Sequence, residues 1–143
     1  MSIVIEYLKQ EDVEAYVTML NPILKNPVEL DVFKRRFKPD HPTTKVIVAK
    51  KEGEIVGTIT FALVDNFNRP EDSRLEFWNF ATSLAARGTD AAKLLMSFTF
   101  DFAKEFGYGL VAVNCYVDAV RAHGFYKKMG FEESEIARFV KKI

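Results

Sequence analysis

Residues 75–106 read LEFWNFATSLAARGTDAAKLLMSFTFDFAKEF. Two periodicities meet in this stretch. Residues 75–82 alternate as a strand, with Glu76, Trp78, Phe80 and Thr82 predicted on one side and Phe77, Asn79 and Ala81 on the other. Residues 89–106 carry Ala91, Leu94, Leu95, Phe98, Phe102 and Phe106 at helical spacing, and Gly107 ends the helix. The junction Thr82-Ser83-Leu84-Ala85-Ala86-Arg87-Gly88-Thr89-Asp90-Ala91-Ala92 leads the strand into the helix. Such a junction leaves backbone N–H groups unpaired at the positive end of the helix dipole, and small residues let a phosphate approach them. A plain helix start capped by Thr89 or Asp90 fits the same residues.

Toward the N-terminus, residues 3–8 alternate as a first strand. Glu11 and Asp12 open a helical pattern through Val13, Tyr16, Val17 and Leu20, since acids suit a first turn. Asn21-Pro22 closes it, because the residue before proline avoids the helical region. Asn26-Pro27-Val28-Glu29 predicts a second helix start with Asn26 as cap, and Leu30, Phe33 and Phe37 form its inner face. Residues 45–51 and 54–64 flank Glu52-Gly53 as a hairpin. Toward the C-terminus, residues 110–117 predict an apolar strand, 120–129 a short helix ended by Gly130, and 135–140 a last strand. The order β α α β β β α β α β predicts an α/β fold, a mixed central sheet with helices on both faces. A chain of 143 residues has room for one such domain, residues 1–143.

Twenty Lys and Arg balance twenty Asp and Glu. That argues against a general nucleic-acid binder, which shows a basic excess or stripe. The local cluster Lys34, Arg35, Arg36 and Lys38 reads as a solvated helix face beside Phe33 and Phe37. No apolar run is long enough for a membrane helix, and the start MSIVIEYLKQED lacks the form of a signal peptide. The lone Cys115 has no internal disulfide partner, so a reducing cytoplasm is expected. Neither His41, among prolines and expected at the surface, nor His123 has partners spaced for zinc, so no metal is expected. Cys115, within the apolar strand, reads as a small core residue and not a nucleophile.

The segment Ala122-His123-Gly124-Phe125-Tyr126-Lys127-Lys128-Met129-Gly130-Phe131 puts a Phe-Tyr pair near a helix end and a Gly-Phe reversal after it. Phe125 and Phe131 read as core anchors. Tyr126 reads either as an amphipathic core residue with a wet hydroxyl or as a proton donor.

Together with the 82–92 junction, this segment resembles the GNAT superfamily of acyl-CoA-dependent N-acetyltransferases, over nearly the whole chain. The opening strand, the Glu-Asp helix start and residues 49–57 (AKKEGEIVG) occur in family order. The family's pyrophosphate loop, Arg/Gln-x-x-Gly-x-Gly/Ala, is matched by Arg87 and Ala92, with Gly88 fitting a free position between them and Asp90 at the middle glycine position. AHGFYKKMGF matches the Phe-Tyr-x-x-x-Gly-Phe element. The Asn that often stands seven residues before the Tyr of that element is Ala119 here.

The resemblance implies a single GNAT-type domain that uses acetyl-CoA to acetylate a primary amine of a small molecule or peptide. It implies that backbone groups of Phe80, Ala81 and Thr82 grip the pantetheine arm. N–H groups of Arg87, Gly88, Thr89, Asp90, Ala91 and Ala92 would hold the pyrophosphate. Tyr126 would protonate the departing thiolate, and His123, near it on the same helix, would be structural or cofactor-adjacent. Glu76 is the candidate base because it is expected on the strand face of Phe80 and Thr82; an exposed or paired strand carboxylate is the alternative. Family analogy also suggests pairing of two copies through the last strands. Asp90 keeps a second reading open. A carboxylate aimed at phosphates opposes them by about 4 kcal/mol at 4 Å in an effective dielectric of about 20. One turned back to cap the helix costs little, and Lys93 would partly neutralise it. The second reading is a GNAT-fold binding or regulatory module with weak or no acetyl-CoA affinity.

Overall fold

A computed structural model describes residues 2–143. The chain forms two compact units, one ending at Val113 and one running from Asn114 to Ile143. The first holds a five-stranded sheet of β1 (Ile3–Tyr7), β2 (Thr44–Lys51), β3 (Glu54–Val64), β4 (Arg74–Thr82) and β5 (Leu110–Val113), side by side in that order. The first four are antiparallel neighbours, and β5 runs parallel to β4. A parallel neighbour needs a long crossover, and α3 (Ala91–Glu105) supplies it. The expected mixed α/β sheet is therefore present.

Each face has its own core. Val46, Val48 and Ile55 close one with Leu8 and with Val13, Tyr16, Val17 and Leu20 around α1 (Val13–Leu20). Phe33 of α2 (Leu30–Arg36) packs on Tyr16 there, ring centroids 5.2 Å apart. On the opposite face Phe61 of β3 meets Phe102 of α3 at 4.8 Å, and Tyr7 meets Phe98 edge-on. Fully burying one such side chain stabilises the fold by about 1.5–3 kcal/mol.

Three sequence expectations in this unit are corrected. The buried face of α3 is Ala91, Leu95, Met96, Thr99, Phe102 and Ala103, while Leu94 and Phe106 are 37% and 56% exposed. Ala91, Thr99 and Ala103 share the contact line with Leu95, Met96 and Phe102, and Thr99 is tolerated there because its hydroxyl donates to Leu95 O. The second helix starts at Leu30, not after Asn26. Asn21 Nδ2 donates to Val28 O, and Val28 N–H donates to Asn21 Oδ1 at 2.7 Å, so the Val28 backbone is engaged outside a helix. His41 is half-buried, its Nδ1 accepting the Thr44 N–H at 2.9 Å.

The second unit contains α4 (Val120–Lys128). The strand expected over 110–117 stops at Val113, and residues 135–140 form no strand. A strand is stable only beside a neighbour, and this unit has no other strand. Ile136 and Phe139 are accordingly 86% and 95% exposed. Among the described residues no helix is long and apolar enough to cross a membrane.

Candidate active site

The pairing of β4 with β5 ends at Phe77 opposite Val113, while β4 continues to Thr82. Along its other edge β4 stays paired with β3, but the register slips: Thr60 faces Trp78 and Thr58 faces Ala81. One residue of β3 therefore opposes two of β4, a bulge. Asn79 sits in it at φ +50°, a left-handed conformation that Asn tolerates better than most residues. The bulge bends β4 and takes one peptide out of the ladder where the edge toward β5 is already open.

The bulge also inverts the alternation. Glu76, Trp78 and Ala81 share the face of Ala62, Thr60 and Thr58, and Thr82 pairs with Gly57 on the opposite face. Phe80 makes an edge-to-face contact with Phe77 on that same opposite face. The expectation that Glu76 shares a face with Phe80 and Thr82 is thereby corrected. Glu76 accepts a hydrogen bond from Arg74 Nε at 2.7 Å and is about one third exposed. Asn79 carries the bulge and was missed by the periodicity; a polar, weakly strand-forming residue amid aromatics was the available signal.

The junction into α3 follows. A Cβ on Gly57 would meet Thr82 Cγ2 at 3.1 Å and Leu95 Cδ1 at 3.2 Å. This glycine lets the start of α3 pack closely against the end of β4. Ser83 N–H donates to Val56 O, and a short 3-10 turn covers Leu84–Ala86. Gly88 then takes φ +74°, which only glycine adopts without strain.

Six N–H groups were expected to face an anion. Three are engaged within the loop: Arg87 donates to Leu84 O, Thr89 to Ala86 O, and Ala91 to Thr89 Oγ1. Those of Gly88, Asp90 and Ala92 have no acceptor among the described residues, and the Lys93 N–H joins them. Four free donors at the mouth of a 15-residue helix suit a pyrophosphate. Asp90 occupies the N-cap position, yet its side chain makes no capping hydrogen bond. The capping alternative thus falls to Thr89, whose Oγ1 accepts the Ala91 N–H at 3.3 Å. Arg87 and Asp90 are exposed, and Ala91 is buried, so it contributes backbone alone.

In the second unit, Tyr126 lies on α4. Gly130, at φ +93°, donates its N–H to Lys127 O, and Phe131 N–H donates to Tyr126 O. These two bonds form a Schellman motif, whose usual apolar contact is the Tyr126–Phe131 ring pair at 5.4 Å. The Phe-Tyr-x-x-x-Gly-Phe spacing is therefore a helix-ending device that fixes the Tyr126 ring. Phe125, expected as a core anchor, is 43% exposed and touches Tyr126 edge-on. Burial pushes the Tyr126 hydroxyl up to about 12, and the neighbouring Cys115 adds to the shift. Burial also raises the Cys115 thiol, which therefore stays protonated at neutral pH. Cys115 is half-buried and lies after β5, not within a strand. Ala119 caps α4 and accepts the His123 N–H. The His123 ring bonds Tyr116 O at 2.8 Å, tying helix to loop. Among the described residues no group of three His, Cys, Asp or Glu side chains could hold a metal ion.

The family model described as "Acetyltransferase (GNAT) family" matches residues 6–131. No curated protein matches the chain in sequence. Solved structures do. Glucosamine-6-phosphate N-acetyltransferase from Arabidopsis thaliana is 21% identical with TM-score 0.78, covering 99% of each chain. A transcriptional regulator from Bacillus halodurans C-125 is 22% identical with TM-score 0.81, covering 99% of this chain and all of its own. Ribosomal-protein-alanine N-acetyltransferase from Brucella melitensis biovar Abortus 2308 is 15% identical with TM-score 0.80 over the whole of both chains. At these identities the likeness is one of fold.

Proposed function

The chain belongs to the GNAT acetyltransferase family, and we propose that it transfers the acetyl group of acetyl-CoA directly to a primary amine of a small molecule or peptide. The observation that carries this reading is the pair formed by the β4 bulge and the free N–H groups of Gly88, Asp90, Ala92 and Lys93. Those donors suit the pyrophosphate. Backbone groups of Phe80, Ala81 and Thr82, on the open edge of β4, suit the pantetheine arm.

The acceptor must arrive as a neutral amine, so an ammonium first loses a proton. Glu76 is the proposed base; it acts directly or through one water. The amine nitrogen attacks the thioester carbonyl, the C–N bond forms, and the C–S bond breaks. A β4 N–H beside the bulge stabilises the oxygen as negative charge develops, and holding both reactants together supplies much of the rate. The sulfur leaves as a thiolate. Tyr126 is the proposed donor to it. An ordinary thiol titrates near 8.5 and Tyr126 near 12. Full transfer from Tyr126 is thus uphill by about 5 kcal/mol. Tyr126 serves as a hydrogen-bond donor while charge builds, and solvent completes the protonation.

The acceptor side is assigned to α1, α2 and their loops. Val28, Val32, Phe33 and Arg36 line a shallow, mostly apolar hollow of about 370 Å³ there. The lone Cys115 without a disulfide partner supports a reducing, cytoplasmic setting. One observation favours a second reading, a binding or regulatory module with weak acetyl-CoA affinity: the Asp90 carboxylate is uncapped beside the free donors. Thiol release from acetyl-CoA over a panel of amines, aminoglycosides, polyamines and peptides tests the proposal. Turnover with any acceptor supports it, and none with the whole panel favours the module.

A further inference from the structure

Tyr16 is a buried hydroxyl that the reaction scheme does not use. It lies on α1, only 1% exposed, with its ring on Phe33 of α2. Its hydroxyl reaches the sheet and hydrogen-bonds with the side chains of Thr60 and Thr58, which are 6% and 0% exposed. The direction of these bonds is fixed by donor count. Thr58 Oγ1 donates its one proton to Ile47 O at 2.8 Å. Toward Tyr16 it therefore only accepts, so Tyr16 donates to Thr58 and accepts from Thr60. With the chain Thr60 to Tyr16 to Thr58 to Ile47 in place, no buried side-chain polar atom is unpaired among the described residues.

Its place in the sheet matters. Thr58 and Thr60 are the two β3 residues on either side of the register slip, facing Ala81 and Trp78 of β4. Only Ile59 lies between them, and Asn79 bulges opposite at φ +50°. A bulge leaves one residue unpaired and disrupts the ladder locally, so its position leans on the side chains that hold the residues flanking it. We infer that the Tyr16 hydroxyl is a positioning residue that pins Thr58 and Thr60 and so holds the β4 bulge in the register that aims its backbone at the reacting carbonyl. The catalytic half of this inference rests on the acetyltransferase reading; the structural half does not. Because the same side chain packs on Phe33, α2 and the bulge are tied to one residue.

Tyr16→Phe removes the hydroxyl and keeps the ring. The test measures amide hydrogen exchange along β4 together with steady-state kinetics. Val17→Ala, a core truncation on the same helix, controls for lost stability. In Tyr16→Phe, exchange at Trp78, Asn79, Phe80 and Ala81 should speed up at least tenfold while Leu75 and Phe77 keep their rates. The kcat should fall at least tenfold with KM for acetyl-CoA within twofold. Val17→Ala should not reproduce that split. Unchanged exchange at Trp78–Ala81, or acceleration spread evenly along β4, overturns the inference. So does altered exchange with kcat unchanged in an active parent. If the parent transfers no acetyl group, the acetyltransferase reading has failed, and the exchange pattern alone decides the role of Tyr16 in the bulge.

Discussion

Glu76 and Phe80 lie on opposite faces of the sheet although they stand four residues apart on one strand. Glu76 pairs across to Ala62, whereas Phe80 contacts Phe77. The inserted Asn79 separates them. The proposed base and the Phe80 side chain therefore lie on different sides of β4.

Glu76→Gln should lower kcat by about 10²-fold, the lower range for a general base. Stability should change by less than about 1 kcal/mol, because the lost ion pair to Arg74 is partly exposed. Steady-state kinetics with a thermal melt check both. An unchanged kcat would assign deprotonation to water or another group.

Tyr126→Phe should lower kcat by about tenfold to a hundredfold and leave KM for acetyl-CoA within about twofold. The Tyr126 hydroxyl, at about 12, remains protonated throughout the usual assay range. It should therefore cause no fall in kcat below pH 10. Its raised value adds stability that is fully present below the unfolded value of 10.0 and is lost as pH rises through about 12. Equal losses in kcat and affinity would argue against the donor role.

Asp90→Asn keeps a good N-cap residue and removes the charge. The parent carboxylate makes no capping bond, so stability should hold. Acetyl-CoA affinity should rise several-fold, since one exposed charge about 4 Å from a phosphate opposes it by about 1 kcal/mol in water. The gain should shrink at high salt. Calorimetric titration at two ionic strengths reads this directly, and an unchanged affinity would show that Asp90 points away from the phosphates.

Lys50 joins Glu6 at 2.7 Å and Asp12 at 2.8 Å, with its side chain 16% exposed. It fastens the entry of α1 to the sheet. Lys50→Met leaves two carboxylates without their shared cation and should destabilise by about 2 kcal/mol. The bonds to Asp12 and Glu6 hold the ammonium above its ordinary 10.5. That stabilisation is complete below 10.5 and is lost as pH rises beyond it. Urea unfolding of parent and variant should therefore differ at pH 7 and converge at strongly alkaline pH.

The fold was legible wherever one period ran uninterrupted. The hairpin of β2 and β3 and the crossover helix α3 stand where their patterns place them. Misreadings arose where a local contact broke the period. Asn21 engages Val28 and delays α2. Asn79 adds a residue to β4 and reverses its later faces. Thr99, its hydroxyl bonded within the helix, takes a place in α3 that an apolar stripe would assign to a larger residue. The junction proposed to hold phosphate was legible as a strand-to-helix segment, but its internal hydrogen bonds were not. Which N–H groups stay free depends on the 3-10 turn at Leu84–Ala86, and no periodicity encodes that turn. The Tyr16 hydroxyl was hidden because its position fits a helix core equally well.

The most direct test is thermal unfolding of the protein with and without millimolar acetyl-CoA. Ligand at about 100-fold over its dissociation constant adds about 2.7 kcal/mol, so melting should rise by on the order of 10 °C for a chain of this size. No shift at millimolar acetyl-CoA would contradict the account and leave a GNAT fold that does not use its phosphate loop.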